Sequence, residues 1–133
     1  MTSTWSTYHR RYAVLNQVVR LAETHPGGEL PWRDVPGATD AFADLGELLA
    51  ALQQRWFTTL TAHLEQAVET GDDVADAVRL AQRHTDEYRP GLRLILDQHH
   101  DHPALRRARR RERAAVTAAT DLATPVRPLE PAA

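Results

Sequence analysis

The chain has 133 residues, of which 42% are hydrophobic and 26% are charged, and its formal net charge at pH 7 is −2. These values are typical of one soluble globular domain, and they give no overall positive field that would attract nucleic acid or anionic lipid. The sequence contains neither cysteine nor lysine. This excludes disulfides, thiolate chemistry, Schiff-base catalysis and a phosphate-binding loop that ends in Gly-Lys.

No segment of the sequence is suited to cross a membrane. Apolar runs stay well short of the roughly 18 residues that a transmembrane helix needs. The N-terminal segment carries His9, Arg10 and Arg11 inside an amphipathic pattern, so it lacks the apolar centre of a signal peptide. We therefore expect a cytoplasmic protein with no membrane association.

The first predicted element is an amphipathic helix over residues 4–24. Its apolar residues recur at alternating steps of three and four, the period of one helical face. They are Trp5, Tyr8, Tyr12, Leu15, Val19 and Ala22. We interpret the three aromatic residues as core anchors, although an exposed seam here would instead indicate a homo-oligomer. The motif His25-Pro26-Gly27-Gly28 ends this helix.

A connection over residues 26–43 and a long helix over residues 45–69 follow. Eighteen residues without structure would be unusual in a compact domain, so short helical turns are expected at residues 32–35 and 40–43. The long helix should be the centre of the core, with Asp44 and Glu47 capping its start and Gly71 capping its end. Its inward positions are Leu45, Leu49, Leu52, Trp56, Leu60, His63 and Ala67.

The last third of the chain predicts two more helices. Asp72 or Asp73 should cap a third helix, and Pro90 should kink or break it because proline lacks an amide donor and clashes with the preceding turn. Its inner face comprises Val74, Val78, Ala81, Thr85 and Tyr88. A fourth helix is predicted over residues 104–123. The expected fold is all-α, an antiparallel bundle of four main helices forming one domain over residues 1–124, with a disordered proline-rich tail over residues 125–133.

A cluster of arginines near the start of the fourth helix is the first candidate site. Residues 104–113 hold six arginines and one glutamate, a charge of +5, so the remainder of the chain carries −7. The arginines are Arg106, Arg107, Arg109, Arg110, Arg111 and Arg113. Because cations near a helix N-terminus and like charges at i, i+3 and i+4 are both unfavourable, something should neutralise them. Acidic groups of the fold, such as Asp97, Asp101, Asp86 or Glu87, would explain the cluster, and so would an acidic partner, a nucleotide or nucleic acid bound through residues 106–113.

Histidines form the second candidate site. His63 lies on the apolar stripe of the long helix, and counting back from Gly71 places it about one turn from His84. His99 and His102 crowd the end of a helix at a spacing suited to metal ligands. The sequence has none of the inward-projecting Glu-x-x-His repeats that di-iron bundles use. A core histidine held by one hydrogen bond and a polar helix end would explain the same residues.

No stretch of the sequence identifies a family. The leading hypothesis is a small non-enzymatic helical protein that acts by surface interaction, in a regulatory or scaffolding role, with the basic helix as the contact face for a protein partner. The alternative is a metal- or small-ligand-binding bundle that uses His63, His84 and His99 or His102. A third hypothesis is an enzyme with a histidine acid/base pair beside Pro90. No cofactor is predicted apart from this possible metal.

Overall fold

The computed structural model describes residues 4–25 and 27–123, with side chains described up to residue 118. In these ranges the chain is all-helical and has no strand. The α-helices are α1 Thr4–Thr24, α2 Ala38–Ala41, α3 Leu45–Thr70, α4 Val74–Tyr88, α5 Pro90–Gln98 and α6 Pro103–Ala123. None of the described helices combines the length and hydropathy that a membrane span requires. The predicted tail lies outside the described residues.

The central helix α3 begins and ends where its caps predict. Asp44 accepts a hydrogen bond from the Glu47 amide at 2.8 Å, which satisfies one of the free N–H groups of the first turn. Glu47 does not return the bond to Asp44, because its carboxylate accepts from Arg11 on α1 at 2.9 Å. Gly71 takes the left-handed conformation at φ 74°, which glycine adopts without a Cβ clash. The side chain of Asp73 then caps α4.

The connection between α1 and α3 contains both expected short helical pieces. A 3-10 turn covers Trp32–Asp34. The second piece is α2, which starts at Ala38, two residues earlier than predicted, because Gly37 turns the chain there with φ 81°. Trp32 and Phe42 are buried, so the connection closes one side of the core.

A close crossing of α1 and α5 fixes the other side of the core. Helix α4 ends at Tyr88, Arg89 has non-helical dihedrals, and Pro90 is the first residue of α5. A Cβ added to Gly91 would lie 2.1 Å from the carbonyl oxygen of Val19. The two backbones therefore touch at this glycine, where no side chain fits.

The helix α6 runs in the same direction as α3. Gly46 lies beside Ala104 at the start of both helices, and about two turns on Gln53 donates to Glu112 at 2.8 Å. The antiparallel arrangement predicted for the four main helices is therefore not confirmed at this contact. Helix α6 runs parallel to α3 because α5 and the bend after it bring the chain back to the start of α3 before α6 begins.

The predicted core is confirmed in the second half of α1 and only in part on α3. Leu49, Leu52 and Ala67 are buried, whereas the other predicted inward positions of α3 are half-buried; these are Leu45, Trp56, Leu60 and His63. The buried cluster includes Val14, Val18, Leu48, Leu49, Leu52, Phe42, Leu92, Ile95 and Leu105. Trp5 is 70% exposed, Tyr8 61% and Tyr12 43%, so none of the three aromatic residues of α1 anchors the core as predicted, and Tyr88 on α4 is also exposed. The buried residues of α1 begin at Val14, so the face that its aromatic residues share by periodicity is exposed over the first turns of the helix.

Candidate functional site

The arginine cluster lies on a helix that begins at Pro103, where a proline needs no amide partner. The ring of His102 accepts from the Ala104 amide at 3.1 Å and so satisfies another free donor of the first turn. Leu105 and Ala108 face the core. This register leaves five of the six arginines exposed and one, Arg109, half-buried.

Two of the six arginines bind the backbone at the end of α5. Arg109 donates to the carbonyl oxygens of Leu96 and His100, each at 3.5 Å, and Arg106 donates to the carbonyl of Asp101 at 3.1 Å. These carbonyls have no intrahelical partner, so the contacts are structural. The structure thus separates two arginines with structural contacts from the other four, a difference that the sequence does not show.

The remaining arginines are not neutralised by the carboxylates that the structure describes. None of these carboxylates lies within 4.0 Å of any guanidinium nitrogen in the cluster. Of the acidic residues expected to offset the charge, Asp86 pairs with Arg93 at 3.4 Å and Asp101 with His100 at 3.2 Å. Asp97 and Glu87 form no ion pair with the cluster among the described residues. The unfavourable charge density of α6 is therefore left facing solvent.

Three of these arginines line a groove between α3 and α6, which we call the basic groove. Its volume is about 1050 Å³. Its lining residues are Arg33, Asp44, Leu45, Gly46, Glu47, Ala50, His102, Ala104, Arg107, Arg110 and Arg111. Small residues at the α3–α6 contact, Gly46, Ala50 and Ala104, form part of its floor. The α6 wall is basic, whereas the α3 wall carries two carboxylates that already accept internal hydrogen bonds.

A polar pair joins the same two helices beneath the arginines. Gln53 is only 3% exposed; its amide nitrogen donates to Glu112, and its amide oxygen has no hydrogen-bond partner in the described residues. Burial raises the pKa of Glu112, while the hydrogen bond from Gln53 and the charges of Arg109 and Arg111 act in the opposite direction. Sequence reasoning did not single out this pair, because Gln53 falls outside the inward positions chosen for α3.

The four histidines predicted as metal ligands divide into one adjacent pair and two separate residues. His63 and His84 are neighbours, with ring centroids 5.7 Å apart, as the count from Gly71 predicts. His99 lies 2.9 Å from the Ile95 carbonyl, and His102 is engaged at the start of α6. Within the ranges described, no three side chains of histidine, aspartate or glutamate are grouped so that they could hold a metal ion.

The histidine pair borders a second groove, between α1 and α3, which we call the aromatic groove. Its volume is about 940 Å³, and its lining includes Tyr8, Tyr12, Arg55, His63 and His84. Arg55 lies 4.5 Å from the Tyr12 ring centroid and donates to Asn16 at 2.8 Å. Burial, and then the charge of Arg89, lower the pKa of Arg55.

Comparisons with protein-family models, with curated proteins and with solved structures give no match for this chain. Its function therefore has to be inferred from the two grooves and the charge around them. The basic groove carries unneutralised charge, and the aromatic groove carries exposed rings and a histidine pair.

Proposed function

We propose that this chain is a small non-enzymatic helical protein that acts by surface interaction, in a regulatory or scaffolding role. The contact face is the basic helix over residues 104–113, and the partner is an acidic protein surface. The observation that carries this proposal is the exposure of Arg107, Arg110 and Arg113 without a carboxylate partner in the described part of the chain. Guanidinium groups bind carboxylates through paired, charge-assisted hydrogen bonds, which an acidic partner would supply.

A protein partner fits this face better than nucleic acid does. The α3 wall of the basic groove carries Asp44 and Glu47, which would repel the evenly spaced charges of a phosphate backbone lying along it. They would repel carboxylates as well, so an acidic partner has to direct its carboxylates to the α6 wall and lay uncharged side chains against α3. Its floor also includes apolar side chains, which a protein segment can cover and a phosphate backbone cannot. The proposal places the chain in the cytoplasm and treats its four main helices as one bundle that supports the face.

The proposal is tested by removing three cations that form no ion pair or hydrogen bond with the described residues. The variant Arg107→Gln, Arg110→Gln, Arg113→Gln is compared with Arg10→Gln, Arg20→Gln, Arg83→Gln, which changes net charge equally at exposed sites elsewhere. Binding to a poly-glutamate peptide and to a mixed-sequence DNA duplex is measured at several salt concentrations. We expect the first variant to lose about tenfold in peptide affinity and the control to lose much less.

Two results would contradict this function. Equal losses in both triple variants would mean that net charge, and not this face, attracts the peptide. Tighter binding to DNA, with a steep salt dependence that the first variant reduces, would assign the face to nucleic acid instead. Circular dichroism of each variant checks that α6 is still helical.

A second candidate function is the binding of a small ligand or metal ion in the aromatic groove. It is supported by the contact of His63 and His84 at the edge of a groove large enough for a small organic molecule. If it is correct, the purified protein should contain a stoichiometric metal or chromophore, or added zinc should raise its melting temperature unless His63 is changed to Ala. A melting temperature that zinc, iron and chelator leave unchanged would exclude metal binding in the aromatic groove.

A further inference from the structure

A strongly acidic segment lies where α3 turns into α4, and we call residues 65–76 the acidic tip. It holds five carboxylates and no basic residue, a formal charge of −5. The carboxylates are Glu65, Glu69, Asp72, Asp73 and Asp76, and all five are exposed. The basic stretch over residues 104–113 has a charge of +5, so the two segments have equal and opposite charges.

Two carboxylates of the acidic tip have no partner in the part of the chain that the structure describes. Asp73 caps α4, Asp76 pairs with Arg79, and Asp72 accepts from the Thr70 hydroxyl at 2.6 Å. Glu65 and Glu69 have no such contact; they lie one helical turn apart, on one side of α3. Val68, 61% exposed, lies beside them. The tip therefore presents a pair of free carboxylates next to an exposed apolar side chain.

The basic groove has the complementary arrangement. Leu45, Ala50 and Ala104 give it an apolar floor, and Arg107 and Arg110 on the α6 wall have no carboxylate partner among the described residues. An apolar side chain such as Val68 can cover such a floor while neighbouring carboxylates reach the guanidinium groups. Both surfaces would then neutralise charge that each molecule leaves exposed on its own.

The two surfaces of one molecule cannot meet. The groove lies along the first two turns of α3 and the tip along its last two turns, so a rise of 1.5 Å per residue separates them by roughly 30 Å along one rigid helix. We infer that the basic groove of one copy binds the acidic tip of a second copy, which makes the chain associate head to tail. This inference rests on the proposed function, since it identifies the acidic surface as part of a second copy of the chain.

Such an interface uses two different patches, so it builds rings or open chains of molecules. The charges on both sides are exposed, so we expect weak association that salt suppresses. Sedimentation velocity of the full chain should show a mass that rises with protein concentration at about 20 mM salt and returns to that of one chain at about 500 mM salt.

Charge reversal gives a sharper test. The groove variant is Arg107→Glu with Arg110→Glu, and the tip variant is Glu65→Arg with Glu69→Arg. Both place the new charge toward the helix end that favours it, so both should fold. Each variant alone should be monomeric, but an equimolar mixture should associate, because the intact tip of one variant fits the intact groove of the other and the two reversed patches are also opposite in charge. Matched controls reverse exposed charges elsewhere, Arg10→Glu with Arg83→Glu and Glu29→Arg with Glu87→Arg, and should still associate.

Three outcomes would overturn the inference: a wild-type chain that is monomeric at every concentration at low salt, an assembly that the tip variant preserves, or a mixture that stays monomeric. The first outcome leaves the proposed function intact if poly-glutamate still binds. If the wild-type chain associates with itself but does not bind poly-glutamate, the proposed contact face itself is refuted.

Discussion

At the scale of single residues, the contact between Gln53 and Glu112 is the least expected feature of the molecule. It places an ionisable group at the α3–α6 contact and leaves the Gln53 amide oxygen buried without a partner in the described residues. Buried polar atoms without hydrogen bonds are unfavourable, and a charged partner adds the cost of desolvation. A protonated or amide side chain at position 112 could donate to the free oxygen of Gln53, which a carboxylate cannot do.

Replacing Glu112 by Gln should therefore change the pH dependence of stability. Burial raises the pKa of Glu112 in the folded chain, so the folded state binds the proton more tightly than the unfolded state, and stability falls as pH rises above about 4.5. We expect Glu112→Gln to match the wild type at about pH 4 and to exceed it at pH 7, by less than about 1 kcal/mol because the site is partly exposed.

Urea denaturation at both pH values measures this difference, and Glu87→Gln, at an exposed position, is the control. A Glu112→Gln variant that is less stable at pH 7 than at pH 4, relative to wild type, would mean that the attraction of Arg109 and Arg111 outweighs burial.

At the scale of helices, local chemistry predicts where an element begins and ends, but not what it packs against. Asp44, Gly71 and Pro90 mark boundaries because capping and the missing proline amide act within one turn of the chain. The aromatic residues of α1 share one face by periodicity, yet whether that face is buried depends on a neighbouring helix far away in sequence. This is why Leu15 and Val19 are correctly placed in the core and Trp5 and Tyr8 are not.

The α1–α5 crossing gives a prediction in which helix propensity and packing disagree. Alanine favours a helix over glycine by about 1 kcal/mol, so propensity alone predicts that Gly91→Ala is stabilising. We expect the opposite, a loss of about 1–3 kcal/mol, because the new Cβ would overlap the Val19 carbonyl and force the helices apart.

The free energy of unfolding in urea measures the effect. Gly28→Ala is the matched control, since its Cβ would come no closer than 3.7 Å to another heavy atom outside its immediate neighbours. A Gly91→Ala variant as stable as Gly28→Ala would show that α1 and α5 can separate at little cost.

The two tryptophans of the first third of the chain provide a second test at this scale. Trp32 is 6% exposed, whereas Trp5 projects from the first turns of α1. Trp32→Ala should cost about 3–5 kcal/mol and Trp5→Ala should stay within about 0.5 kcal/mol of wild type, as measured by urea denaturation. A large loss of stability in Trp5→Ala would show that the aromatic residues of α1 belong to the core after all.

At the scale of the whole molecule, the sequence predicts where the charges lie along the chain, but not whether the fold neutralises them. The excess of arginine over residues 104–113 can be counted directly, but the sequence left open whether acidic groups of the fold neutralise it. That depends on the direction of α6, which runs parallel to α3 and so keeps its arginines beside the start of α3 and far from the acidic tip. Within one molecule, the like charges of each segment therefore repel one another.

Internal repulsion on α6 predicts an unusual response to salt. At low ionic strength the variant Arg107→Gln, Arg110→Gln, Arg113→Gln should be more stable than wild type, by roughly 0.5–1 kcal/mol, because like charges at i+3 and i+4 destabilise a helix. At about 0.5 M sodium chloride the difference should shrink, since screening then removes most of the repulsion in the wild type. Thermal unfolding at low protein concentration, where association does not contribute, compares the two with Arg10→Gln, Arg20→Gln, Arg83→Gln. If the α6 variant were instead less stable at low salt, the arginines would have an internal partner, and the charge that the proposed interactions require would already be neutralised.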